Sequence, residues 1–121
     1  MSEAEVIYHG KTIFSCRVHD TFFSRLKGLM FSSRLRTGKG IILAFSSDRQ
    51  IDIHMLFVFF PLDIIWIDAK GKIVHIARRV KPFAPFVRGE KASYILEVNS
   101  SAAQMLNTGD HVIINLKREH R

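Results

Sequence analysis

The run Ile51–Asp68, IDIHMLFVFFPLDIIWID, is the strongest constraint on what this chain can fold into. It is the most apolar part of the sequence, yet it carries His54 and Asp63 inside it and Asp52 and Asp68 at its ends. A polar group in a core-forming segment has to be hydrogen-bonded, paired or functional, because burying it alone is costly. A membrane helix does not fit. Only ten residues separate Asp52 from Asp63, with His54 and Pro61 among them, against the ~20 apolar residues that a span requires. The run therefore belongs to a folded core, and His54 and Asp63 are the first candidates for chemistry.

A chain of 121 residues is long enough for one domain with its own hydrophobic core. Hydrophobic residues make up 47% and charged residues 24%, values typical of a globular protein and unlike a disordered one. The single Cys16 excludes an internal disulfide and a cysteine-cluster metal site. The start, MSEAEVIYHG, has acids where a signal peptide has bases, and no apolar segment follows. These features describe a soluble cytoplasmic protein. The net charge of +7 favours anionic partners, although the same excess would serve to keep a small protein in solution.

Glu5–His9 and Thr12–Val18 read as strands around a Gly10-Lys11 turn. Asp20 or Thr21 suits a helix N-cap, and Phe22, Phe23, Leu26, Leu29 and Met30 follow with helical period. Gly28 suits the end of that helix or a close backbone approach. A basic loop, Ser32–Gly40, leads into a β-rich remainder: Ile41–Phe45, Ile53–Phe59, Leu62–Asp68, Lys72–Arg78 and Ser93–Val98. Ala69-Lys70-Gly71 suits a hairpin connection. Asn99 or Ser100 would cap a second short helix through Leu106, with Gly109 ending it before a last strand, His111–Lys117. The near-continuous apolar character of residues 53–67 predicts strands covered on both faces. The expectation is a mostly β single domain over residues 1–121, of sandwich, jelly-roll or barrel-like type, with two short helices. Residues 117–121 read as a basic tail.

Four segments then stand in a telling order: Arg25-Leu26-Lys27-Gly28-Leu29-Met30, Ile53-His54-Met55, Phe60-Pro61-Leu62-Asp63-Ile64-Ile65-Trp66-Ile67-Asp68, and Tyr94-Ile95-Leu96-Glu97-Val98 followed by Thr108-Gly109-Asp110. In this the chain resembles the DUF192 family, also called UPF0127, over about residues 12–116. The resemblance implies a compact, mostly β domain of sandwich or jelly-roll type and no established activity. Many members carry a polar Lys-Asn-Thr-like triplet where this chain has Leu56-Phe57-Val58. If that triplet lines a ligand site, the site is drier here or lost.

Asp63 shares a face with Ile65 and Ile67. It reads either as a cleft carboxylate that binds a cation or acts as a base, or as a structural acid holding turn N–H groups or an arginine. The structural reading has the greater weight, because structural pairs also perturb buried acids. His54 lacks HxH or HxxxH company, so it reads as a core or pocket-edge histidine and no metal is assigned. Cys16 has no activating neighbours and reads as a core residue. Arg78, Arg79, Lys81 and Arg88 crowd one loop with Phe83 and Phe86 interleaved, the pairing of charge and stacking surface that single-stranded nucleic acid uses. The leading reading is a non-enzymatic domain binding a small polar or anionic molecule around His54, Asp63 and Arg25, without a cofactor. An anionic-polymer binder working through the basic, aromatic loop ranks second. A hydrolase using Asp63 and His54 ranks third.

Overall fold

Apolar alternation sets the first hairpin. In a computed structural model describing residues 2–117, β1 (Glu3–Tyr8) and β2 (Lys11–His19) pair antiparallel. They bury Ala4 and Val6 against Phe14, Cys16 and Val18. The turn falls at His9-Gly10, both with positive φ, 51° and 76°, the twist a two-residue hairpin loop requires. The chain then passes through α1 (Phe22–Lys27) and returns as β3 (Lys39–Gln50), parallel to β2. A parallel return needs such a crossover.

Residues Leu62–Ile67 (β4), Ile73–Val80 (β5), Lys91–Asn99 (β6) and Ile113–Lys117 (β7) complete one seven-stranded sheet, in the order β5-β4-β6-β3-β2-β1-β7. Its two ends meet. Lys72 forms a bridge with His111, the Val112 N–H donates to the Gly71 carbonyl at 2.9 Å, and the Ile73 N–H donates to the Asp110 carbonyl at 2.8 Å. The sheet is therefore curled into a barrel-like form. The apolar layer it encloses joins residues from both ends of the strand order: Val6, Phe14, Ile42, Ile65, Leu96 and Val112.

A second apolar layer lies on the outer face of β3, β4 and β6. Ile41, Leu43, Ile64, Trp66 and Ile95 are covered there by Ile51, Met55, Val58 and Phe60 of the segment preceding β4, with Ala84 and Val87 packed beside them. This makes β4 buried at every position. The covering segment is pinned at one crossing point, where the Trp66 Nε1–H donates to the Ile51 carbonyl at 2.8 Å and Gly89 lies against both. A Cβ on Gly89 would overlap the Ile51 oxygen and the indole ring, so the position admits no side chain.

Three expectations need correction. Ile53–Phe59 is not a strand: only Ile53 bridges, to Val87. Its buried positions are Met55 and Val58, three residues apart, a spacing that follows a folded-over cover and not the two-residue period of a strand. The second helix does not form either. Residues 100–105 make successive turns, and Ser101 has φ 69°, outside helical space. The Asn99 side chain donates to the Leu35 carbonyl at 2.7 Å instead of capping. Finally, α1 ends at Gly28 as expected, but that leaves Leu29 and Met30 of its apolar stripe beyond the helix, its phenylalanines outside, and Leu29 as the one buried residue of the stripe. Of the basic tail, Lys117 ends β7 and pairs with Glu5, while residues 118–121 lie outside the described residues. No helix among the described residues is long and apolar enough to cross a membrane.

Candidate functional site

A cleft of about 380 Å³ opens between α1, the outer end of β3 and the covering segment. Its helical wall is set by a local device. Thr21 caps α1, its hydroxyl accepting the Ser24 N–H while the Ser24 hydroxyl accepts the Thr21 N–H, a reciprocal arrangement that fixes where the helix starts. Gly28, at φ 48°, turns the chain away after one and a half turns and brings its backbone to the cleft.

Glu97 from β6 stands at the floor. It pairs across the sheet with Ile41 and Ile64, in the middle of the outer apolar layer, and is 5% exposed. No hydrogen bond from the described residues reaches its carboxylate, and burial alone pushes the carboxyl up to about 7. A Cβ built on Gly28 would sit 3.7 Å from its Oε1, so the absence of a side chain there keeps space beside the acid. At near-neutral pH this group is poised between a proton donor and an anion, able to bind a hydroxyl, an amine or a carboxylate-bearing donor.

Cations and His54 surround the opening. Arg25 donates from Nη1 to the Asp20 and Ala44 carbonyls at 2.8 and 3.1 Å, and its guanidinium lies 4.6 Å from the Phe45 ring centroid. Arg49 approaches the same ring at 5.8 Å. Phe45 thus holds two arginines at the end of the cleft. His54 is half-buried in the cleft wall, and its Nδ1 accepts the Leu56 N–H at 3.1 Å, which puts the proton of the neutral ring on Nε2. Asp52 accepts the Gly89 N–H at 2.9 Å, and that bond holds its carboxyl below its ordinary value.

Two of the three expected site residues, Arg25 and His54, therefore line one cleft, and Asp63 does not join them. It points to the enclosed face, where its Oδ1 accepts the Arg79 N–H at 2.9 Å and its Oδ2 the Ala103 N–H at 3.3 Å. Arg78 works alongside it, donating to the Ala103 and Leu106 carbonyls. Arg79, Lys81 and Arg88 are exposed, and Phe83 and Phe86 turn outward, not into the core. Leu56 and Phe57 of the departing triplet are exposed as well, and Val58 lines the cleft. Cys16 is buried. Among the described residues no three His, Cys, Asp or Glu side chains are grouped to hold a metal ion.

Glu97 is the residue that sequence reasoning did not single out. The signal was present: one acid inside the otherwise apolar strand pattern Ile95-Leu96-Glu97-Val98, the same anomaly that drew attention to Asp63.

Comparison with known proteins gives a consistent frame. The profile of the DUF192 family, described as "Uncharacterized ACR", matches residues 5–114. A UPF0127 protein of Thermococcus sibiricus is 29% identical over 105 residues, covering 85% of this chain and 68% of that protein. Another, from Thermococcus gammatolerans, is 30% identical over 93 residues, but the match spans only 56% of its length and 75% of this chain. Among solved structures, a Sinorhizobium meliloti protein provisionally described as a transcription regulator shares the fold, with TM-score 0.80 and 22% identity over 97% of this chain and 93% of its own. A Novosphingobium aromaticivorans protein of unknown function superimposes with TM-score 0.79 and 25% identity, over 92% of this chain and 83% of its own.

Proposed function

We propose that this chain, which belongs to the DUF192 family, is a non-enzymatic domain that binds a small polar molecule in the cleft floored by Glu97. One observation carries the reading. A carboxyl buried to this degree, with no hydrogen-bond partner among the described residues, is a group whose hydrogen bonding is left for something else to complete. The ligand would present a hydroxyl or an amine to Glu97 and a polar or anionic group to Arg25 and Arg49 at the other end. Its middle would lie against Leu43, Met55 and Val58, which supply apolar contact.

The arrangement supports binding better than hydrolysis. Asp63 and His54 act from opposite faces of β4, so they cannot serve one reacting bond. Arg25 is already committed to two carbonyls, which fixes it as a rigid recognition group.

Amide-resolved NMR with a panel of matched small amines, alcohols, carboxylates and amino acids tests this reading. Binders with both a donor and an anionic end should shift Gly28, Leu29 and Met55, and Glu97→Ala should weaken them about tenfold or more. A panel that shifts none of these amides, or that binds equally well to Glu97→Ala, would remove the proposal.

A further inference from the structure

A second feature lies outside the cleft. Phe31, Phe57, Phe59 and Phe83 come from three separate chain turns and form one exposed aromatic cluster. Phe31 and Phe57 stack with centroids 4.9 Å apart, Phe83 meets Phe59 edge-on at 5.1 Å, and Phe83 also meets Phe57 edge-on at 6.1 Å. Backbone bonds lock the three turns together: the Phe31 N–H donates to the Phe57 carbonyl at 2.8 Å and the Phe83 N–H to the Met55 carbonyl at 2.9 Å.

Phe31, Phe57 and Phe83 also share a backbone anomaly. Their φ angles are 60°, 59° and 63°, the left-handed region that bulky side chains avoid and that glycine or asparagine would occupy with less strain. Three phenylalanines held in strained backbone thus converge on one exposed patch. Strain of this kind is held where a surface has a use.

The charge on the ring-bearing segments is one-sided. No acidic residue occurs from Thr21 to Ser47, from Ile53 to Leu62, or from Ala69 to Gly89, the segments that carry the rings. Lys27 and Lys81 are exposed and belong to the turns that carry Phe31 and Phe83, their carbonyls accepting the Met30 and Ala84 N–H groups, and Arg34 is exposed three residues beyond Phe31, whereas Arg88 lies near Asp52. Basic side chains beside an exposed aromatic patch match an anionic lipid surface, where rings enter the headgroup region and cations meet phosphates. Single-stranded nucleic acid fits less well, because it needs free ring faces for its bases and here the rings already face or edge one another.

We propose that this cluster, with Lys27 and Lys81 beside it, is a peripheral docking surface for anionic membranes. The occupant is the surface of a bilayer carrying negatively charged headgroups. The proposal is independent of what the Glu97 cleft binds.

Flotation of the full chain with phosphatidylcholine vesicles, with and without about one third phosphatidylglycerol, tests it. Wild type should float with the anionic vesicles and not with the neutral ones. Lys27→Glu/Lys81→Glu should lower partitioning about tenfold or more, given roughly fivefold for each cation lost near the surface. Phe57→Asn/Phe83→Asn should also lower it about tenfold, while asparagine suits the left-handed backbone and preserves the melting temperature. Any of three results would overturn the proposal. One is anionic binding that ignores both variants. Another is a ring-dependent affinity for oligo-dT with none for vesicles. The third is a ring-dependent dimer in light scattering that leaves the patch covered in solution.

Discussion

Glu97 shows how much one residue's environment decides. In the unfolded chain its carboxyl titrates near 4.5, and in the folded protein burial holds it at about 7. A raised folded value means that the native state binds the proton more tightly. The stabilisation is therefore fully present below about pH 4.5 and is lost as pH rises through 7. The difference amounts to something on the order of 3 kcal/mol. Glu97→Gln keeps the shape and removes the ionisation, so urea midpoints for the variant should change little between pH 5 and pH 8. Wild type should lose stability over the same interval, and the variant should be the more stable protein at pH 8. Parallel slopes for the two proteins would show that the acid is solvated and free of this penalty. Asp63 is the contrasting case. It is as deeply buried, but two backbone N–H groups meet it, so its oxygens have partners supplied by the fold.

At the scale of elements, Asp63 explains why the region after β6 is not a helix. Its carboxylate takes the Ala103 N–H from outside the segment, Arg78 takes the Ala103 and Leu106 carbonyls, and the chain is held as turns under the barrel. Local signals in Asn99–Leu106 predict a cap and a helix, and these long-range groups override them. The same logic applies to Ile53–Phe59, whose β-forming composition is overruled by packing against the sheet face. The hairpins were legible because turn chemistry is local, and the apolar length of β4 was legible because both faces are covered. The cleft was half legible: His54 and Arg25 stand out in the sequence, but nothing local says that Asp63 and Glu97 point to opposite faces. Asp63→Ala should leave the Arg79 and Ala103 N–H groups unpaired and cost roughly 1–3 kcal/mol or more. Hydrogen exchange should rise first at Ala102–Leu106. Unchanged protection there would mean that the turns are held by Arg78 alone.

Across the whole molecule, the barrel closes where Gly71 and Ile73 at the β5 end meet Val112 and Asp110 at the β7 end, so the enclosed layer depends on both ends of the sheet. Cys16 lies in that layer, between Phe14 and Val18 on β2, and reports on its integrity. Its thiol is buried, and burial pushes it up to about 12, so very little thiolate is present at neutral pH. Both effects vanish when the barrel opens. Native protein at pH 7.5 should therefore react with a thiol-specific disulfide reagent many orders of magnitude more slowly than the urea-unfolded chain. The residual rate should follow the global unfolding equilibrium, rising with urea in step with the loss of far-UV signal. The Gly71→Ala variant should accelerate the reaction without added denaturant, because a Cβ there would collide with the Val112 carbonyl and φ is 90° at that position. A native rate insensitive to urea well below the midpoint would instead reveal a local opening that reaches Cys16 without the molecule unfolding, as when the β5 and β7 ends of the sheet part.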